Sequence, residues 1–515
     1  MKRMMLGFCL AMGLTLGASR GATWHVAVDG SDEASGGAGD PFLTISNALA
    51  HADDGDTVLV AAGDYDVAET VSLTNGVTVR GVAGRDATVL AAIMAERRPL
   101  HVNHAQAVFE GFTVTGGFLT GESGGGAYLQ AGTITNCLFT GNVVSNAATA
   151  LRGGGIYAVG GRIVDCVISN NVLFSIPSTS PYGGGGGLAL DASGWADGCV
   201  IANNLATNGA WGGGASLHGA ATRLTGCEVR ANQADRGGGV HAYRGYVSGC
   251  TIEENRALYA FTIGLRTGGG VYFSGSTGDF QCLDNSMIRA NWASSGGGVG
   301  LGYNVTVSNC IILANYGYAG GGIYNQMGTT SLIRNCLIVS NASYSAGGIY
   351  LYRSGGKIDN CTIVGNTSGH WSADWSAGGI FLQGELGTDA VINNTIVYFN
   401  SNVGQAPSQN YRSISTYKLY FNNSCTTPTN GLNGADYISD DPEFLNPAAA
   451  SHSLNPDDYQ LSPQSPCLNR GKLLDWMSGA YDLLGNPRVD GQSGIPDMGC
   501  FERVPPPWGT TVIVR

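Results

Sequence analysis

The sequence predicts an all-β solenoid, in which short parallel strands stack coil upon coil along one axis. Three observations predict it: a phrase repeated ten times between Gly124 and Asn400, nearly fixed spacings within the phrase, and an alternation of apolar and polar residues. A clear copy reads GGGIYAVGGRIVDCVISNN, from Gly153 to Asn171. A unit this short cannot bury its own apolar side, so neighbouring copies must supply the core.

Each copy carries three marker residues: the last glycine of a triplet, a cysteine and an asparagine. The glycines are Gly126, Gly155, Gly187, Gly214, Gly239, Gly270, Gly298, Gly322, Gly348 and Gly379. The cysteine position holds Cys137, Cys166, Cys199, Cys227, Cys250, Ser286, Cys310, Cys336, Cys361 and Asn394. The asparagines are Asn142, Asn171, Asn204, Asn232, Asn255, Asn291, Asn315, Asn341, Asn366 and Asn400. The last two markers are five residues apart, or six in the final copy, and the shortest full turn is about 23 residues. This period fits one coil of a parallel β-helix of roughly 13 or more coils.

Within a coil, the residues after the glycine marker alternate as in a strand. The first and third are aliphatic, such as Ile156, and predict an inward side, whereas the second is often aromatic, such as Tyr157, and points outward. We expect the marker asparagine to adopt the left-handed backbone of a tight corner. We expect the cysteines to be buried thiols that pack as small apolar groups, rather than disulfides or a metal site.

Four segments follow along the chain. Residues 1–22 have a basic start, an apolar stretch and small residues at the end, as in a secretory signal peptide. Residues 23–120 form an N-terminal cap and irregular first coils, with a short capping helix from Pro41 to Ala52 and a first strand from Asp56 to Ala61. Residues 121–400 are the repeat β-helix, and residues 401–515 are terminal coils with an irregular β-rich C-terminal module.

The composition of the chain argues against two classes of partner, nucleic acids and the membrane interior. The chain has a net charge of −12, and an acidic protein lacks the basic surface that nucleic-acid binding requires. No later stretch is apolar for the roughly 18 residues that a membrane-spanning helix needs. We therefore expect a monomer without a transmembrane segment, secreted or held at the cell outer membrane surface.

Several motifs resemble known families. The CLFTGN phrase from Cys137 to Asn142, with GGGIY, resembles the repeats of polymorphic outer-membrane proteins, and the whole middle resembles right-handed parallel β-helices of the pectin-lyase-like class. The segment from His25 to Tyr65 resembles the entry of secreted β-helix proteins. The segments between Asp441 and Glu502, such as DPEFLNP, resemble the terminal module of surface-anchored bacterial ones. These resemblances are specific for architecture, because this fold hosts lyases, hydrolases, adhesins and scaffolds alike.

Insertions collect in the one elastic interval, between the asparagine and the next glycine triplet. They are Val143 to Arg152, Val172 to Tyr182, Leu205 to Trp211, Arg256 to Thr267 and Thr367 to Ser376. Stacking places these aromatic-rich loops on one side of the rod, next to outward tyrosines of the adjoining strand. The predicted ligand-binding residues are Trp211, Tyr259, Tyr272, Tyr324, Tyr350, Trp371 and Trp375. Rigid rings on such a ridge suit sugars or a protein partner, and the alternative is that they pack the loops onto the solenoid.

The sequence gives weaker indications of catalytic residues than of ligand-binding residues. His218, His241 and Arg244 are the nearest to a cluster, since His218 and Tyr243 occupy equivalent positions one coil apart. A lyase of this fold would need Ca²⁺ held by carboxylates, and a hydrolase would need two converging carboxylates. No cofactor is otherwise indicated. In the C-terminal module, Cys467 and Cys500 could pair as a disulfide or remain free.

Three functions of different classes remain. The first is a non-catalytic surface protein that binds polysaccharide or a surface protein through the aromatic ridge. The second is a polysaccharide lyase or glycoside hydrolase, and the third is a passive structural spacer.

Overall fold

The chain forms a parallel β-helix in a computed structural model. The structure describes residues 21–145, 151–174, 183–258, 268–276, 278, 281–326, 331–370, 375–384, 388–403, 410–446, 453–489, 491 and 493–504. Within these residues the coils contribute strands to three parallel sheets of 27, 14 and 11 strands, which we call the long, second and third sheets. The all-β solenoid predicted from the repeat is thereby confirmed.

The long sheet consists of two rows of strands, joined because two long strands run through both rows. The first row, after the glycine triplets, contains Val71–Leu73, Leu100–Glu110, Ala127–Thr135, Ile156–Ala158, Leu188–Leu190, Ala215–Leu217, Val240–Ala242, Val271–Phe273, Val299–Leu301, Ile323–Gln326, Ile349–Tyr352, Ile380–Gln383 and Tyr411–Ser413. The second row adds Thr23–Val26, Thr57–Val60, Thr78–Gly81, Arg162–Val164, Trp195–Asp197, Arg223–Thr225, Gly245–Ser248, Gln281–Asp284, Val305–Ser308, Leu332–Arg334, Gly356–Asp359, Ala390–Asn393, Leu419–Asn422 and Asn433–Ala435.

The second and third sheets follow the cysteine and asparagine markers. The second sheet contains Gly63–Val67, Thr88–Ala92, Thr113–Thr115, Leu138–Thr140, Val167–Ser169, Val200–Ala202, Glu228–Arg230, Thr251–Glu253, Met287–Arg289, Ile311–Leu313, Leu337–Val339, Thr362–Val364, Ile396–Tyr398 and Cys425–Thr426. The third contains Phe118–Thr120, Val143–Ser145, Val172–Phe174, Leu205–Trp211, Gln233–Arg236, Arg256–Ala257, Trp292–Ser295, Tyr316–Ala319, Ala342–Ser343, Thr367–Ser368 and Ser401–Asn402. An α-helix spans Ile45–His51, and 3₁₀ helices span Pro456–Tyr459 and Asp475–Met477.

The lumen of the coil is filled by the inward residues that the alternation predicts. Ile156 and Ala158 are fully buried in the core cluster, and Tyr157 between them points away from it. The ladder cysteines, such as Cys166, are free thiols and almost wholly buried, as expected. Burial raises the pKa of the Cys166 thiol well above its usual value, so this thiol stays protonated and packs as a small apolar group.

The marker asparagines do not form the left-handed corners expected of them. They are buried, and their side chains form a continuous hydrogen-bonded ladder, which we call the amide ladder. In a typical step, Asn255 donates from its backbone N and its Nδ2 to Oδ1 of Asn291, both at 3.0 Å, and Nδ2 also donates to the carbonyl of Val229 at 2.8 Å. The ladder runs through Asn142, Asn171, Asn204, Asn232, Asn255, Asn291, Asn315, Asn341, Asn366, Asn400 and Asn410.

The left-handed corners are made by the residues just before the cysteine and asparagine markers. Asp165 precedes Cys166 at φ 52°, and Asn170 precedes Asn171 at φ 55°. In the last copy the cysteine position is therefore held by Thr395 rather than by Asn394. Like Ser286 in its coil, Thr395 accepts from the backbone N of the preceding ladder residue through its hydroxyl group, here at 3.2 Å from Cys361.

The glycine triplet and the asparagine recur together because they touch. A Cβ on Gly155 would lie 2.9 Å from Nδ2 of Asn171 and 2.7 Å from the carbonyl O of Gly187. The first glycine of that triplet, Gly153, has φ 65° and makes the turn into the strand. The triplet thus serves both a corner and the close approach of the backbone to the amide ladder.

The two ends differ from the repeat. The N-terminal helix is shorter than expected, because Phe42 pairs with Val26 in extended conformation and the N-cap is Thr44. The segment from Ile438 to Arg503, which we call the C-terminal module, packs on the outward face of the second sheet, on Leu313, Leu337, Val339, Val364 and Ile396. Its wholly buried Arg488 pairs with Glu502 at 3.1 Å and donates to Oδ1 of Asn335 in the β-helix at 3.3 Å.

The cysteines of this module do not pair with each other. Cys467 and Cys500 are both buried free thiols. Cys467 packs in the same buried cluster as Cys425, and the backbone N of Cys500 donates to Oγ1 of Thr362 at 3.1 Å. Of the two alternatives that the sequence left open, the structure shows the free thiols. Among the described residues, no helix has the length and apolar character needed to cross a bilayer.

The amide ladder predicts a large effect of a single buried amide. Replacing Asn255 by Ala should lower the unfolding temperature strongly, since each buried donor or acceptor left without a partner costs about 1–3 kcal/mol. Thermal unfolding followed by circular dichroism measures this. Gln233→Ala, at an exposed site of the third sheet, is the control and should have little effect. Equal effects of the two substitutions would contradict a structural role for the ladder.

Candidate functional site

The outward positions of the first row form a ladder of side chains along the rod. In order they are Ser72, His101, Tyr128, Tyr157, Ala189, Ser216, His241, Tyr272, Gly300, Tyr324, Tyr350, Phe381 and Arg412. Rings on neighbouring coils stack, as in the 5.4 Å between the ring centroids of Tyr128 and Tyr157. The predicted outward direction of the aromatic residues is therefore correct.

Outward does not mean exposed, however, and three predicted ligand-binding tyrosines are inaccessible. Tyr272, Tyr324 and Tyr350 have exposed fractions of 1%, 2% and 5%. Tyr324 and Tyr350 form a small second core outside the lumen, in which chain segments just before the glycine triplets cover the rings. Its other members are Ala319, Ala346, Ala377 and Phe381. These tyrosines hold the elastic interval onto the rod, which corrects their assignment to an exposed ridge.

The structure does bring four predicted residues together, which we call the histidine cluster: Trp211, His218, His241 and Tyr272. The ring of His241 lies 4.8 Å from Trp211, 5.7 Å from Tyr272 and 6.0 Å from His218, between centroids. Each histidine also has one hydroxyl partner, Ser216 Oγ at 3.2 Å from Nε2 of His218 and Ser274 Oγ at 2.6 Å from Nε2 of His241. Their Nδ1 atoms have no hydrogen-bond partner among the described residues.

Electrostatics make both histidines neutral. Burial, with a smaller contribution from Arg152, lowers the pKa of His218 to about 3. Burial also lowers the pKa of His241 well below its usual value, helped by His218 and Arg236. A histidine that does not accept a proton near neutral pH is a poor general base, since proton transfer is most effective when the pKa lies near the working pH.

The remaining polar groups do not complete a catalytic arrangement. The carboxylate of Asp191 pairs with Arg152 and lies 3.3 Å from the hydroxyl group of Tyr157. The guanidinium of Arg244 lies over the ring of Tyr243, 5.3 Å from its centroid. His218 and His241 therefore belong to a packed cluster, whereas Arg244 lies against Tyr243.

Exposed and half-buried rings occur instead on the third sheet and the loop after it, as a group that we call the aromatic strip. Its members are Trp292, Tyr316, Tyr318, Tyr344, His370 and Trp375. The rings of Tyr318 and Tyr344 stack at 4.7 Å, and His370 continues the row at 4.6 Å from Tyr344. Tyr316 is the strand neighbour of Trp292. The exposed fractions of Tyr316, Tyr318 and Trp375 are 53%, 40% and 54%.

Of the seven predicted ligand-binding residues, Trp375 is thus exposed on the strip. Trp211 is half-buried, with Arg236 over its ring at 4.8 Å. Tyr259 and Trp371 lie outside the described residues. The strip lies in the same elastic interval that the sequence indicated, but most of its rings are not among the seven predicted ligand-binding residues.

A groove near the N-terminal end has no counterpart in the sequence-based predictions. It has a volume of about 370 Å³ and is lined by Glu69, Glu96, Arg97, Arg98 and Glu122, among others. Hydrogen bonds from the Thr120 hydroxyl and backbone N lower the pKa of Glu96. Each glutamate already has a partner, and among the described residues no three His, Cys, Asp or Glu side chains converge as metal ligands. The groove could not be predicted from the sequence, because its residues lie in the irregular first coils and occupy no position of the repeat.

One match to a protein family supports the architecture. The family described as right handed beta helix region matches residues 247–424, and a family of unknown function, DUF1565, matches residues 28–85. Among curated proteins, none matches the chain.

Solved structures with a similar fold include carbohydrate-active enzymes. Pectate lyase Pel9A is 15% identical, with 95% of this chain and 98% of that one covered, at a TM-score of 0.33. The PL6 family alginate lyase AlyGC is 13% identical over 86% of this chain and 57% of that one, at 0.36. A GH87 alpha-1,3-glucanase catalytic domain is 14% identical over 73% and 67%, at 0.34. The chain is a right-handed parallel β-helix.

The histidine cluster predicts a pH dependence of stability. The folded pKa of His218 lies below the value of about 6.5 expected in the unfolded chain, so the unfolded state binds the proton first. This stability is complete above about pH 6.5 and is lost as the pH falls towards 3, by about 1.4 kcal/mol per pH unit for each such histidine. A double variant, His218→Gln with His241→Phe, should show a smaller fall in unfolding temperature between about pH 7 and pH 5.

His51→Gln, at an exposed histidine, is the control and should keep the pH dependence of the unmodified protein. Calorimetric scans at several pH values measure all three proteins. An identical pH dependence in the double variant would show that the two histidines are not held neutral.

Proposed function

We propose that this protein is an exported, non-catalytic β-helix that binds polysaccharide through the aromatic strip. The observation that supports the proposal most is the exposure of three rings of this strip, Tyr316, Tyr318 and Trp375, each with 40% or more of its surface open to solvent. Aromatic side chains with a polar tip are the residues that binding surfaces favour, because one ring supplies both apolar area and a hydrogen-bonding group.

The strip has the geometry of a linear binding surface. Rings on neighbouring coils repeat at the strand spacing of about 4.8 Å, so the row runs parallel to the rod. The stacked pair of Tyr318 and Tyr344 offers a ligand its edges and hydroxyl groups, whereas Tyr316 and Trp375 offer more of their ring surface. A chain molecule such as a polysaccharide can contact several of these rings at once.

Rigidity favours binding by this surface. Trp292 and Tyr316 lie on paired strands of the third sheet, and the guanidinium of Arg256 lies over the Trp292 ring at 4.7 Å. Side chains held in this way lose little conformational freedom when a ligand arrives, which lowers the cost of association. Export rests on the signal-peptide pattern of residues 1–22, and polysaccharide is a ligand that an exported protein meets.

An enzymatic function is the alternative, and the groove at Glu69, Glu96 and Glu122 is the place that favours it. Carboxylates beside Arg97 and Arg98 are the residue types that glycoside hydrolysis or elimination would use. The lowered pKa of Glu96 suits a base or nucleophile rather than an acid.

The proposal predicts that rings of the strip carry glycan binding. Tyr316→Ala combined with Trp375→Ala should weaken retention on the best ligand of a glycan array by about tenfold or more, since exposed anchoring rings contribute about 1–2 kcal/mol each. The purified chain is scored on the same array for retention and for cleavage products.

Phe174→Ala is the matched control, because this ring is 40% exposed on the same sheet but lies outside the strip. Retention that survives the double variant would contradict the proposal. Cleavage that disappears in Glu96→Gln would favour the enzymatic function. If the protein neither binds nor cleaves any glycan on the array, the passive structural spacer remains as the function.

A further inference from the structure

A second ordered row of side chains lies on a different face, the outward side of the second row of the long sheet. Strand pairing places Arg162, Trp195, Arg223 and Tyr246 on four successive coils at one outward position. Cations and aromatic rings therefore alternate along the rod. We call this row the arginine ladder.

The rings hold the arginines in place. The guanidinium of Arg162 lies over the Trp195 ring at 4.2 Å from the centroid, and that of Arg223 lies over the Tyr246 ring at 4.7 Å. Trp195 is itself fixed, because its Nε1 donates to Oγ1 of Thr225 at 2.8 Å, and that hydroxyl group donates to Asp197 at 2.6 Å. Cation–π contacts of this kind stabilise a guanidinium without neutralising its charge.

The two arginines have no carboxylate partner among the described residues, in contrast to a group of arginines elsewhere on the rod. Arg80, Arg98, Arg152, Arg230, Arg289 and Arg488 each form an ion pair. Within the described part of the chain, Arg162 and Arg223 are both exposed and make neither an ion pair nor a guanidinium hydrogen bond. Their N–H donors are preorganised and open to an anion from solution.

The distance between the two arginines and the net charge of the protein indicate which kind of anion would bind. Arg162 and Arg223 lie two coils apart, which is about 9.6 Å at the usual strand spacing. A chain that carries negative groups at a regular interval can contact both, whereas a small anion would reach one. Because the protein as a whole has a charge of −12, a polyanion is attracted only where local cations lack carboxylate partners.

We propose that the arginine ladder binds a sulfated polysaccharide. A guanidinium is weakly hydrated and pairs its fork of donors with two oxygens of an oxyanion, which suits a sulfate ester on an extended sugar chain. This surface is separate from the aromatic strip, so the proposal does not depend on glycan binding there.

The test is binding of the full-length protein to immobilised dextran sulfate, with unsubstituted dextran and polygalacturonate as comparison surfaces. The unmodified protein should bind dextran sulfate more tightly than either comparison polymer, and binding should weaken as salt is raised from about 0.05 M to 0.5 M. Arg162→Gln combined with Arg223→Gln should weaken binding to dextran sulfate by about tenfold. Asp197→Asn, which removes a negative charge beside the ladder, should strengthen it.

Arg230→Gln combined with Arg289→Gln is the charge-matched control, since these exposed arginines on the second sheet already pair with Glu228 and Glu253. It should change binding by less than about twofold. Equal losses in the two double variants would overturn the proposal, because net charge alone would then explain binding. Tighter binding to polygalacturonate, or no binding to dextran sulfate by a correctly folded protein, would also overturn it.

Discussion

The amide ladder is the interaction on which the rest of the structure depends. Each asparagine ties its own backbone and side chain to the next coil and to a carbonyl of the preceding one. Because these groups are buried, a coil that slipped by one residue would leave several of them without partners, and each would cost free energy. The ladder therefore fixes the register of the coils between Asn142 and Asn410. Ordered outward rows, such as the arginine ladder, can exist only because that register is fixed.

A fixed register separates three kinds of outward surface. Where the elastic interval folds back, outward rings such as Tyr324 become a second core and contribute to stability. Where the chain leaves them open, rings such as Tyr316 remain available to a ligand. Where cations and rings alternate, as at Arg162 and Trp195, the side chains stabilise each other and keep their charge. The same rod thus presents different chemistry on different faces without changing its coil.

Much of the fold could be predicted from the sequence, because the lumen repeats at short range. The inward position of Ile156 and the buried thiol of Cys166 follow from alternation and spacing alone. The burial of Tyr350 could not be predicted, since it depends on Ala346 and Ala377 in intervals of variable length. The arginine ladder is not evident from the sequence either, because its members are about 30 residues apart and become neighbours only through strand pairing. The sequence pattern does not distinguish an amide ladder from left-handed corners, since asparagine serves both roles.

The C-terminal module has a consequence for how such a rod can change length. The module reaches back over four successive strands of the second sheet, from Leu313 to Ile396, and hydrogen-bonds to corner residues Asn335, Asn360 and Asn394 on three different coils. The module therefore contacts a fixed number of successive coils, and we call it a clamp for that reason. A duplicated coil inserted before residue 311 would lengthen the rod and leave the clamp undisturbed. One inserted between residues 313 and 396 would separate its anchor points by a further coil, so growth by duplication is confined to the N-terminal part.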